Sequence, residues 1–227
     1  MPLSDRDYMR TSPPPARRTR NFGGFTLSPI WVLIIINFLL FIITIIWGRG
    51  ILNVDGVGYP VYKTHYYLGL IPAIFWERLW TILTSIFVHS DFMHILFNMI
   101  ALFFFGRTLA ILVGVNRFLL VYFIGGIAGN VLYLFLNMSS TFPLVGASGA
   151  VYAIAGVLVV MVPNMRVALW GIIPMPLWVF VIVFLLLLSL PPFVAVNVAW
   201  QAHLGGLAVG LIAGYFFRRK MRYIIYR

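Results

Sequence analysis

The chain has 227 residues, 62% hydrophobic and 9% charged, with a mean hydropathy of +1.00, a balance that leaves too few polar groups to cover a soluble domain and puts it in a bilayer. Its formal charge of +11 would mark a nucleic-acid binder if the basic residues formed a stripe, but they sit at the chain ends and at short breaks, which reads as membrane topology and implies no nucleic-acid partner. Cysteine is absent and the acids are Asp5, Asp7, Asp55, Glu77 and Asp91, so thiol chemistry, an intramembrane aspartyl pair and an HExxH-type zinc site are excluded, and no metal or cofactor is implied.

In chain order, residues 1–29 hold Ser12-Pro-Pro-Pro15 and five arginines, too little apolar content to fold alone, and predict a disordered basic cytoplasmic tail. A hydrocarbon core about 30 Å thick takes roughly 20 apolar helical residues, so the uncharged blocks count crossings. The first helix is predicted over 30–47; it ends in Trp47-Gly-Arg-Gly50 rather than a small-residue cleavage site. Residues 48–91 form an outer loop whose Tyr59, Tyr62, Tyr66, Tyr67, Phe75, Trp76 and Trp80 suit the membrane interface. Helices follow at 92–113, across Arg107, and at 117–137. The turn signal Asn137-Met-Ser-Ser-Thr-Phe-Pro143 separates these from a helix at 147–162. A fifth helix at 166–189 stops at Pro191-Pro192, a sixth covers 199–217, and residues 218–227 form a basic cytoplasmic tail. The expected fold is an all-α membrane protein, a six-transmembrane-helix bundle over 30–217. Six crossings put both termini on one side. Thirteen of the Lys and Arg residues then lie inside, leaving Arg49, Lys63 and Arg78 outside, as the positive-inside rule requires.

Polar groups within such helices point to function. Three clusters qualify: His94 with Asn98, Ser148 in Gly146-Ala-Ser-Gly-Ala-Val-Tyr152, and His203 in Ala202-His-Leu-Gly-Gly206. A lone membrane serine ordinarily bonds its own helix, and a lone His or Asn often links helices structurally. These three, however, all fall within one or two turns of the outer end of an even-numbered helix, roughly 3–9 Å down at 1.5 Å per residue. Structural polar groups have no reason to share that depth, whereas a site reached by water does. His94 and Asn98 are four residues apart and face one way, as do Ser148 and Tyr152. Gly149 and Gly156, with Gly206, Gly210 and Gly214, form small-residue faces that predict close packing of the fourth and sixth helices. Ser148 and His203 then meet.

A serine nucleophile needs a base, usually oriented by a third group. No carboxylate follows Asp91. The expected unit is therefore a Ser148–His203 dyad, with His203 as general base and its imidazole packed on Tyr152. His94, Asn98 and the Ser148 backbone N–H are the expected oxyanion donors.

At these residues the sequence resembles the rhomboid family of intramembrane serine proteases. The resemblance rests on Gly146-Ala-Ser148-Gly with Tyr152, on Ala202-His203-Leu-Gly-Gly206 followed by Gly210, and on His94-Ile-Leu-Phe-Asn98 preceded by Trp80 and His89. A lone GxSG is weak; three motifs in this order on helices two, four and six are specific. The resemblance implies Ser148 as nucleophile, His203 as base, His94 and Asn98 as oxyanion stabilisers, and Tyr152 as the aromatic stacked on the base. It also implies cleavage of single-pass transmembrane proteins near the outer membrane face, through a lateral opening covered by the fifth helix and a loop cap. Trp80-Thr81 stands where the family often has Trp-Arg, which puts that loop's anchoring in question, and His89 carries no assigned step. A non-proteolytic binder of membrane segments is the alternative. A transporter is disfavoured because the inner halves of the last three helices are almost wholly apolar. A short core with both termini inside suggests a prokaryotic cell membrane.

Overall fold

A computed structural model describes residues 28–54, 57–169, 172–186 and 199–225. Most of the 1–29 tail and the Pro191-Pro192 break lie outside the described residues. Helix α1, Pro29–Trp47, begins with proline at its first turn, where no amide bond is lost, and ends at Gly48. The chain then turns back on itself as an antiparallel hairpin of β1, Arg49–Val54, and β2, Val57–Tyr62, with Arg49 opposite Tyr62. The short helix α2, Lys63–Leu68, leads into tight turns through Phe87.

Helix α3, Phe92–Val113, is capped by Asp91 and passes through one π-helical stretch, Leu102–Gly106. Helix α4, Val115–Leu136, follows after a single residue. Helix α5, Ser148–Met161, is the centre of the bundle, with every residue from Gly149 to Leu158 buried. A second hairpin, β3 Arg166–Leu169 with β4 Ile173–Pro176, precedes α6, which begins at Leu177–Phe180 and continues as a π-helical stretch to Leu186. Helix α7, Trp200–Ile225, packs on both α4 and α5.

Three of these helices, α1, α3 and α4, are long and apolar enough to cross a membrane, and α5 is apolar but has only 14 residues. The chain is a mostly helical integral membrane protein.

The sequence reading needs three corrections. The fifth helix starts at Leu177 rather than 166, because Pro174 and Pro176 cannot sit inside a helix and instead end a hairpin. The basic segment from 218 is helical through Ile225, an extension of α7 rather than a tail beginning there. Finally, the outer segment 48–91, expected as a loop, contains the β1–β2 hairpin and α2, so the fold is mostly helical with two short hairpins.

The α5–α7 contact is backbone on backbone. A side chain at Gly206 would collide with the carbonyl oxygen of Gly149, and one at Gly210 with that of Ala153. Helix α4 adds a face the sequence reading did not single out: Gly125 abuts Ala153, and Gly129 abuts the Ala202 carbonyl. A partner helix is no more apolar than lipid, so close van der Waals fit rather than a hydrophobic gain holds such helices together.

Candidate active site

Ser148 is the first residue of α5 and His203 lies in the first turn of α7, so the α5–α7 packing determines how they meet. The Ser148 Oγ is 2.9 Å from His203 Nε2, hydrogen-bond distance. The His203 ring stacks on Tyr152, with centroids 4.2 Å apart and planes 13° apart. Its Nδ1 is buried and has no hydrogen-bond partner among the described residues. The imidazole is thus oriented by an aromatic face.

The turn before Ser148 is held by the outer segment. Leu144 and Leu70 exchange two backbone bonds, and the Gly146 N–H donates to the Ser85 carbonyl at 2.9 Å. The Ala147 N–H points at His89 Nε2, 3.5 Å away. Gly146 has φ +128°, which a side chain rarely adopts. A methyl group there would come 2.7 Å from His94 Nε2 and 3.8 Å from Ser148 Oγ. His94 and Ser148 therefore border one small volume above Gly146. Asn98, on the same helix face and buried, donates one amide N–H to the His94 carbonyl at 2.9 Å. The first backbone N–H groups of α5, Ser148's among them, are the ones a helix cannot satisfy internally.

Six residues outside the predicted set support this arrangement. Asn130 of α4, buried, donates from Nδ2 to the Ile82 carbonyl and to Ser85 Oγ, both at 2.8 Å, and Ser85 carries the Gly146 contact. An asparagine in the middle of an uncharged block was the signal available for it. His65, also buried, donates from Nε2 to the His89 carbonyl at 3.2 Å. Burial pushes the His89 imidazole down to about 3, so it stays neutral and can accept from Ala147. Ser90 and Asp91 sit beside His94: the Ser90 hydroxyl donates to Asp91 Oδ2 at 2.7 Å and lies 2.9 Å from His94 Nδ1.

Thr81 follows Trp80, and an arginine stands two residues before the tryptophan. Arg78 donates to the Tyr66 carbonyl and lays its guanidinium 3.6 Å above the Tyr66 ring. Trp80 Nε1 donates to the Tyr67 carbonyl at 3.0 Å, and Thr84 Oγ1 to the Leu68 carbonyl at 2.7 Å. These three bonds tie the turns at 78–84 to α2 within the outer segment.

Comparison with known proteins agrees on one family. Residues 77–220 match the rhomboid domain. The rhomboid protein YdcA of Bacillus subtilis is 31% identical over 89% of this chain and 96% of its own length. The mitochondrial RHOMBOID-like protein 12 of Arabidopsis thaliana is 36% identical over 60% of this chain, and the rhomboid protease GluP of Bacillus subtilis 31% over 59%. This chain spans 46% and 25% of those two proteins, respectively. The match to the rhomboid domain takes in the turns after Glu77, the His94 face, the Ser148 turn and the start of α7, and the chain belongs to the rhomboid family of intramembrane proteases.

Proposed function

We propose that the protein is a serine endopeptidase that cuts single-pass transmembrane proteins near the outer face of the membrane, using Ser148 as nucleophile and His203 as base. The observation that carries this is the 2.9 Å contact between Ser148 Oγ and His203 Nε2, with the imidazole stacked on Tyr152. His203 takes the Ser148 proton as Oγ attacks the scissile carbonyl. It then gives that proton to the leaving amine, and a water activated the same way releases the acyl group. The oxyanion forms in the volume above Gly146, within reach of His94, of Asn98 and of the Ser148 backbone N–H.

We assign six transmembrane helices, α1 and α3 to α7, with both termini cytoplasmic. The 13-to-3 division of basic residues supports that orientation. The length of α5 supports a site below the outer surface: 14 residues rise about 21 Å, short of the about 30 Å core, so a helix reaching the inner face starts inside the bilayer. A prokaryotic cell membrane is the location we assign; relatives also include mitochondrial proteins.

In proteoliposomes, Ser148→Ala and His203→Ala are each expected to lower cleavage of a single-span test substrate by at least about a thousandfold with unchanged melting behaviour. Cleavage persisting in Ser148→Ala overturns the assignment. A serine-directed fluorophosphonate is expected to label Ser148; an unlabelled, folded protein would instead make it a non-proteolytic binder of membrane segments.

A further inference from the structure

Asp91 is the last carboxylate in the sequence, and the dyad itself makes no use of it. It nevertheless reaches the site through its neighbour. Asp91 caps α3, with Oδ1 accepting the His94 backbone N–H at 2.9 Å, while Oδ2 accepts the Ser90 hydroxyl at 2.7 Å. The same Ser90 oxygen lies 2.9 Å from His94 Nδ1. On the far side of the ring, Nε2 borders the volume it shares with Ser148 Oγ. Neither Ser90 nor Asp91 belongs to the motifs that carry the family resemblance.

A hydroxyl has one proton to give. While Ser90 gives it to Asp91, its oxygen can only accept at His94, so Nδ1 must carry a proton. A neutral His94 then has a bare Nε2, an acceptor facing the place where negative charge develops. It becomes a donor there only by taking a second proton, and the resulting cation is stabilised by the nearby carboxylate. Partial burial pushes the Asp91 carboxyl up, but the His94 amide and the Ser90 hydroxyl outweigh this. Asp91 sits below its ordinary range and is ionised at neutral pH.

The other titratable groups interacting with His94 are three histidines, His65, His89 and His203, and His65 of α2 is pushed down by burial. His89, with its ring 5.1 Å away, is neutral. His203 of α7 lies across Ser148 Oγ and, in the proposed reaction, gains its proton from Ser148. Among the described residues around the His94 ring, Asp91 is the one carboxylate, and its charge favours a protonated His94.

We infer that Asp91, acting through Ser90, governs which protons His94 carries and makes it the donor that the developing oxyanion requires. Asp91 and Ser90 are positioning residues in this scheme, which rests on the proposed role of His94 in the proteolytic reading.

The chain has four histidines, few enough for nitrogen-15 spectra of the imidazoles in the full-length protein in micelles, with His94→Gln used to identify the His94 signals. Asp91→Asn keeps an N-cap acceptor and removes the charge; Ser90→Ala leaves the cap intact and cuts the bridge. Wild type is expected to hold a proton at His94 Nδ1 throughout, and its second-proton midpoint is expected to fall by about one pH unit in both variants. In proteoliposomes kcat is expected to drop about tenfold with KM within twofold, and the alkaline limb of the pH profile to move to lower pH by the same interval. Ser90→Thr, which retains the hydroxyl, is expected to restore the wild-type profile. An unchanged His94 tautomer and midpoint in Ser90→Ala overturns the inference whether or not Asp91→Asn folds. Because the spectra do not depend on turnover, they decide the relay even if Ser148→Ala still cleaves and the proteolytic reading fails.

Discussion

Gly146 is the residue on which the site's geometry is least forgiving. Its φ of +128° is strained for any side chain, and the added carbon would press on the His94 imidazole. Gly146→Ala should therefore cost about 1–3 kcal/mol in stability and displace His94, with loss of cleavage exceeding what the melting shift explains. Comparing thermal unfolding with turnover at one temperature checks this. Asn130 is the corresponding buried support. Asn130→Ala leaves the Ser85 hydroxyl and the Ile82 carbonyl without their donor, a loss of about 1–3 kcal/mol, readable as a lower melting temperature. As candidates, Ser148, His203, His94 and Asn98 were legible in the sequence because each is polar, sits near a helix end and follows a spacing rule. Asn130 was not, because a single amide in an apolar helix looks the same whether it supports a site or only its own backbone.

The elements were legible to different degrees for a physical reason. Hydropathy counts apolar residues, so it recovered the first four helices to within a few residues at each end. It is blind to where hydrogen bonding changes from strand to helix, and that is how residues 166–176 were counted as helix although Pro174 and Pro176 stood there. The aromatic residues of the outer segment were assigned to the interface by type. Their order comes from hydrogen bonds to backbone carbonyls, which composition cannot reveal. Arg78 shows this, since its bond to the Tyr66 carbonyl leaves no trace in composition. Arg78→Gln removes both the stack on Tyr66 and the carbonyl contact and should lower the melting temperature by an amount equivalent to about 1–2 kcal/mol. Arg78→Lys should recover only part of it, because the flat guanidinium does the stacking.

Over the whole molecule, stability should fall with acid. His89 titrates near 3 in the fold, well under the ordinary histidine value of 6.5, because it is buried. The unfolded chain therefore binds a proton that the fold does not, throughout the interval between those values. Stability is fully present above about pH 6.5 and is lost as pH falls, at about 1.4 kcal/mol per pH unit for this one group. His65, pushed down by burial, acts in the same direction, and Asp91, held low, adds its loss at lower pH. Melting in mild detergent from pH 7.5 to 4.5 should show the decline, and His89→Gln should flatten it. The backbone contact of α5 and α7 has a different consequence, for anyone exchanging parts between relatives. Where Gly206 and Gly210 lie directly on the carbonyls of Gly149 and Ala153, there are no side chains between the helices to repack around a foreign partner. A helix taken from a relative can replace α7 only if it keeps glycine at positions 206 and 210, because any side chain there would collide with the carbonyls of α5.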